Sequence, residues 1–123
     1  MNRKMEHYQS WLASEKQRLN ETIALLEQEG RTDEANWNKV RLNITEAFET
    51  IASADIRYIS RQEGDAVTLF QSRYLPRFTD MSAKWQAQLD KAALHGDTAA
   101  AAIETIKIET AARIEAAFRN AEE

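Results

Sequence analysis

Residues 63–65 read Glu-Gly-Asp, and this short stretch decides the fold because it separates two long amphipathic segments. Gly30 with Thr32, and Gly96 with Asp97, repeat the same pattern. Glycine is the preferred residue just past the end of a helix, and threonine or aspartate is a preferred N-cap of the next one. The three signals therefore divide the chain into four helices, predicted at about residues 2–29, 32–62, 65–95 and 98–121.

Within each segment the apolar side chains recur three and four residues apart, as Val67, Phe70, Tyr74 and Phe78 do in the third. This spacing is typical of a helix with one buried face. Because the predicted connections are only two or three residues long, consecutive helices must be antiparallel. The sequence thus predicts an all-α, up-down-up-down four-helix bundle formed by residues 1–123 as a single domain. Pro76 should kink the third helix. The second helix has its weakest pattern at residues 53–60, where it could end early and leave a longer connection.

Composition excludes several classes of function. The chain has 123 residues, no cysteine and a net charge of −4. Without cysteine there is no disulfide scaffold, cysteine-ligated zinc or thiol nucleophile. A mildly acidic chain is not expected to bind nucleic acid. No secretory h-region or membrane-length apolar run is visible, so we predict a cytoplasmic protein that does not act on a membrane.

The two histidines, His7 and His95, fall at opposite ends of the predicted bundle. One subunit therefore cannot bring both to one metal ion, and neither belongs to the Glu-x-x-His pairs of di-iron bundles. The sequence contains no phosphate-binding loop, nucleophile elbow or dinucleotide fingerprint. We therefore predict that the protein is not an enzyme and has no metal, cofactor or small-molecule substrate.

A polar interruption occurs midway along the buried face of the first helix. Glu15 and Lys16 stand where apolar residues are expected, and Thr110 holds the matching level of the fourth helix. Three interpretations stay open. The two helices can simply be splayed and hydrated there, the three residues can form a polar core layer that fixes helix register, or the layer can line a small cavity.

Four arginines form the second unusual feature. Arg57 and Arg61 lie near the end of the second helix, and Arg73 and Arg77 lie one turn apart in the third. Their stems could cover the adjacent aromatic rings while their charges pair with nearby carboxylates, for which the candidates are Glu63, Asp65 and Asp80. Alternatively, they form a basic docking patch for an acidic protein or a phosphate, and the candidate binding residues are then Arg57, Tyr58, Arg61, Arg73, Tyr74 and Arg77.

Some apolar residues lie off the main buried face. They are Trp11, Leu25, Leu42 and Ile108. A four-helix core explains most of them, and an exposed remainder would accept a partner helix or a second copy of the chain. The leading functional prediction is accordingly a protein–protein interaction or scaffold module, with a homodimer possible. The alternative is a regulatory module that docks an acidic or phosphorylated partner through the four arginines.

Overall fold

The structure is a computed structural model that describes residues 3–122. It contains α1 (Arg3–Gln28), α2 (Thr32–Ile59), α3 (Ala66–Leu94) and α4 (Thr98–Asn120), with no strand among these residues. α1 packs along α2, and α3 packs along α4, while α2 and α4 also meet across the bundle. This arrangement confirms the predicted four-helix bundle. The predicted start of the first helix at residue 2 lies outside the described residues.

Two of the three glycine signals end helices as the sequence predicts. The amide N–H of Arg31 donates to the carbonyl of Leu26 (2.9 Å), and that of Asp97 donates to the carbonyl of Ala92 (2.9 Å). These bonds are those of the Schellman motif, in which a residue with positive φ follows the helix. Gly30 and Gly96 supply it, with φ of 76° and 67°.

The N-caps agree with the prediction at two helices and differ at one. The side chain of Asp65 accepts from the backbone N–H of Thr68, and that of Asp97 accepts from that of Ala100. Thr32, predicted as the cap of α2, is instead its first helical residue, and Arg31 holds the cap position without a side-chain hydrogen bond. The cap moves because the Schellman motif already fixes the backbone at Arg31.

The α2–α3 connection is longer than predicted. α2 is continuous through the weakly patterned segment but ends at Ile59, so residues 60–65 form the turn. Gly64, with φ of 117°, lies late in this turn and not at the end of α2. Pro76 lies inside an uninterrupted α3 on its exposed side, and the kink expected there stays a prediction.

The main apolar core occupies only half of the bundle. It contains fourteen buried residues: Met5, Tyr8, Leu12, Ile44, Phe48, Ala52, Ile59, Val67, Phe70, Tyr74, Phe78, Ala111, Ile114 and Phe118. We call the end that carries the α2–α3 turn the base, and the end that carries the other two turns the apex. Thirteen of them lie in the half of their helix toward the base, and Ile44 lies just on the apex side of the middle of α2. None of the four helices, over the described residues, is both long and apolar enough to cross a membrane.

A hydrogen-bonded tyrosine pair lies inside this core. The hydroxyl of Tyr74 donates to the carbonyl of Phe48 (3.0 Å) and is 2.5 Å from the hydroxyl of Tyr8. Since a hydroxyl has one proton, Tyr8 must donate to Tyr74. Burial raises the pKa of both tyrosines well above the ordinary value. The pair therefore links α1, α2 and α3 as neutral groups.

Candidate functional site

A buried carboxylate, Asp55 of α2, organises the arginines of α3. Its side chain is 1% exposed. Arg73 donates from Nε to its Oδ1 (2.8 Å), and Arg77 donates from Nε to Oδ2 (3.0 Å) and from Nη2 to Oδ1 (2.8 Å). The hydrogen bond to Asp55 raises the pKa of Arg77. Both arginines are thus held by one carboxylate that water barely reaches.

The carboxylates predicted to pair with the arginines are not their partners. Asp65 accepts from the backbone N–H (3.0 Å) and hydroxyl (2.7 Å) of Thr68 as the cap of α3, and these bonds lower its pKa. Within residues 3–122, Glu63 and Asp80 form no ion pair with the arginines. Sequence reasoning missed Asp55 although a signal existed. It continues the buried face of α2 after Phe48 and Ala52, where a lone carboxylate requires a cationic partner.

A pocket at the base is lined by three arginines and a tyrosine. We call these four residues, Arg57, Tyr58, Arg61 and Arg73, the arginine corner. The guanidinium carbon of Arg73 lies 3.9 Å from the ring centre of Tyr58. A pocket of about 470 Å³ is lined by all four residues together with Ala54 and Gln62. In the part of the chain that the structure describes, no carboxylate pairs with Arg57 or Arg61. The arginine corner therefore offers guanidinium groups with hydrogen-bond donors still available to an anion.

Two residues predicted for this surface lie elsewhere. Tyr74 is 0% exposed and its hydroxyl is bonded within the core, so it cannot contact a docked partner. Arg77 directs two of its donors to Asp55 and does not line the pocket. The periodicity that places Tyr74 on the buried face of α3 excludes it from the surface, while Arg77 is drawn inward by the buried charge. The predicted set is thereby reduced to the arginine corner.

The polar layer contains two of its three predicted members. Glu15 is buried, and its two oxygens accept from Arg18 of the same helix and from Nη2 of Arg113 on α4 (3.2 Å). Burial alone would raise the pKa of Glu15, but the two arginines outweigh it and lower that pKa. Thr110 is also buried and donates to the carbonyl of Ile106 (2.6 Å). Glu15 and Thr110 line one pocket of about 260 Å³.

Lys16 does not belong to this layer. Its Nζ lies 2.8 Å from Oε1 of Glu49 on α2, and its side chain is 35% exposed. One residue along a helix rotates the side chain by about 100°, which turns Lys16 from the α1–α4 seam toward α2. The layer is therefore formed by Glu15, Thr110 and the arginines that surround them, and its role stays a prediction.

The histidines lie far apart, as the sequence predicts. His7 near the start of α1 has its Nδ1 2.7 Å from the carbonyl oxygen of Glu122, and His95 is the C-cap residue of α3. Among residues 3–122, no three His, Asp or Glu side chains converge in a way that could hold a metal ion.

Exposed apolar side chains are concentrated near the apex. Four of the five large apolar side chains that are exposed within residues 3–122 are near this end: Leu25, Trp37, Leu94 and Ile103. Trp37 and Ile103 line a groove of about 530 Å³ between the first turns of α2 and α4. Of the four residues predicted off the main buried face, only Leu25 is exposed, while Trp11, Leu42 and Ile108 are partly buried.

The comparisons with known proteins do not show a family to which this chain belongs. No protein-family model matches it, and no solved structure matches it. A segment of 83 residues, 67% of the chain, is 36% identical to Formin-like protein 10 of Arabidopsis thaliana. The chain corresponds to only 10% of the length of that curated relative.

Proposed function

We propose that the chain is a non-enzymatic protein-interaction module of the cytoplasm that docks an acidic partner protein at the arginine corner. The observation that carries the proposal is that Arg57 and Arg61, without carboxylate partners in the described residues, share a pocket with Arg73. Exposed guanidinium groups bind carboxylates and phosphates through paired N–H donors. The partial similarity to Formin-like protein 10 fits an interaction module and specifies no partner.

The non-enzymatic part of the proposal is supported by how the buried carboxylates are used. Asp55 accepts three hydrogen bonds from two arginines, and Glu15 accepts from two others. A general base needs a carboxylate that can take up a proton from a substrate. The oxygens of both carboxylates are occupied by guanidinium donors of the chain itself, so neither presents an unoccupied oxygen to a substrate. A duplex nucleic acid is a poor candidate partner, because affinity for it grows with each phosphate that is neutralised and the corner has three arginines.

The test is affinity capture from a lysate of the source cells with identification of the bound protein. The variant Arg57→Glu, Arg61→Glu changes two exposed side chains that carry no ion pair within residues 3–122. Lys84→Glu, Lys91→Glu on α3 is the matched control, because it makes the same change of charge on exposed positions away from the corner. Circular dichroism should show the same helix content in all three proteins.

We expect an acidic protein to be recovered by the wild type and by the control, and to be lost from the Arg57→Glu, Arg61→Glu variant. Its recovery should also fall with added salt, since the exposed charges are screened within about 10 Å at 0.1 M salt. A partner that both variants retain equally would contradict docking at the arginine corner.

A second candidate function is self-association through the apex. It is favoured by the concentration of exposed apolar side chains there, since such patches commonly mark protein contacts. Sedimentation velocity over a concentration series would detect a homodimer. We expect Ile103→Glu to abolish it and Ala87→Glu, a control on the exposed face of α3, to leave it unchanged. Sedimentation as a monomer at every concentration would exclude this function.

A further inference from the structure

We infer that the group recognised at the arginine corner is a phosphate monoester on the partner protein, preferred over a carboxylate. The inference rests on the proposed function and specifies the chemistry of the partner. It rests on two observations. The guanidinium group of Arg73 is held in one orientation, and those of Arg57 and Arg61 in the same pocket have no carboxylate partner in the described residues.

Arg73 is held from two sides before any ligand arrives. Its Nε donates to Asp55 at 2.8 Å, and its guanidinium plane is placed against the ring of Tyr58, 3.9 Å from the carbon to the ring centre. Within residues 3–122 its two Nη groups donate no hydrogen bond, while the residue lines the pocket. A guanidinium that is already oriented loses less side-chain entropy when it binds an anion.

Arg57 and Arg61 bring two further guanidinium groups to the same pocket. Both side chains are exposed; Arg57 lies in the last turn of α2, and Arg61 lies in the α2–α3 turn that follows it. Their like charges repel each other, because both line one pocket and neither has a carboxylate partner in the described residues. An anion bound between them would relieve that repulsion.

The positive charge of the three guanidinium groups favours a phosphate monoester over a carboxylate. A phosphate monoester presents three acceptor oxygens and a charge of about −1.5 to −2 at pH 7, so each oxygen can accept from a different arginine. A carboxylate carries a single negative charge, so it offsets less of the positive charge of three guanidinium groups than a phosphate monoester does. Asp55 offsets only one of the four positive charges of Arg57, Arg61, Arg73 and Arg77. The corner therefore favours the group with the larger charge.

The pocket also has room for more than the phosphate. Its volume of about 470 Å³ falls within the range of ligand pockets, roughly 300–1,000 Å³, and the Tyr58 ring and Ala54 supply apolar surface. A phosphorylated side chain could thus enter with its neighbouring residues, and a peptide should bind more tightly than free phosphate.

Nuclear magnetic resonance titration tests the inference on the full chain. The probes are the peptide acetyl-Gly-phosphoserine-Gly-amide, the same peptide with glutamate in place of phosphoserine, and inorganic phosphate. We expect the phosphopeptide to bind about tenfold more tightly than either other probe and to move the Nε–Hε resonance of Arg73. Arg57→Gln, Arg61→Gln should weaken binding by about tenfold, and the matched control Lys84→Gln, Lys91→Gln should not.

Three results would overturn the inference. Equal affinity for the glutamate peptide at the same arginines removes the preference for phosphate but leaves docking of an acidic partner intact. Equal affinity for inorganic phosphate removes the assignment to a phosphorylated protein. Absence of binding by every probe removes the phosphate site altogether, and the proposed function is then decided separately by the capture experiment.

Discussion

Replacing Asp55 by alanine tests whether the ion pairs of α2 and α3 anchor the base of the bundle. The carboxylate is 1% exposed, whereas Arg73 and Arg77 are 40% and 38% exposed. Removing one partner of a buried ion pair costs about 3–5 kcal/mol. Water can reach both arginines once the carboxylate is gone, which favours the lower end of that range. We expect the free energy of unfolding to fall by about 3 kcal/mol.

The assay is urea unfolding followed by far-ultraviolet circular dichroism. Asp55→Asn should cost less than Asp55→Ala, because its amide oxygen still accepts one of the arginine donors. Asp80→Ala, an exposed carboxylate of α3, is the matched control and should change stability by less than about 0.5 kcal/mol. The slope of the unfolding free energy with urea should stay constant, since the folded bundle is unchanged.

A loss below about 1 kcal/mol for Asp55→Ala would refute this reasoning, because that is the value of an exposed ion pair. Asp55 would then not be a desolvated anchor for the guanidinium of Arg73. The inference of a phosphate site would lose one of its two supports, and only the contact between Arg73 and Tyr58 would remain to orient that side chain.

Three other predictions concern pH and backbone strain. Because the pKa of Glu15 is lowered in the folded state, the wild type should lose stability as pH falls below about 4.3. Glu15→Gln should weaken that pH dependence in thermal melts from pH 2 to 7, and parallel curves for the two proteins would contradict the prediction. Because burial raises the pKa of Tyr74 in the folded state, stability should fall as pH rises above about 10. The loss should be less steep for Tyr74→Phe in an alkaline titration, and an equally steep loss would contradict the prediction. Gly30→Ala should lower the free energy of unfolding by about 1–2 kcal/mol, because alanine is strained at a φ of 76°. The new methyl group meets no atom within 4 Å, so an unchanged midpoint in urea unfolding would contradict backbone strain.

The helices could be predicted from the sequence because their boundaries depend on local signals. Gly30 and Gly96 adopt positive φ, and Asp65 and Asp97 cap the helices that follow, as their positions predict. The end of α2 could not be placed in this way. Residues 60–63 are compatible with a helix, and α2 ends before them in short-range bonds such as that from the N–H of Arg61 to the carbonyl of Tyr58 (3.3 Å).

The partners of the arginines could not be read from sequence distance. Asp65 is near Arg73 in the chain, yet the N-terminus of α3 uses its carboxylate as a cap. Asp55 is farther away but is brought against Arg73 and Arg77 by the antiparallel register of α2 and α3. Which face of α2 meets which face of α3 depends on core packing, and a pattern of single residues carries little information about it.

The two ends of the bundle differ in a way that decides how docking can be tested. At the base, Asp55 joins Arg73 and Arg77 beside the main core, so these arginines contribute to stability as well as charge. Reversing their charge would leave Asp55 buried without a cation, and any lost binding could then result from unfolding. Arg57 and Arg61 carry charge into the same corner without a carboxylate partner in the described residues. Substituting them is therefore the change that separates recognition from folding.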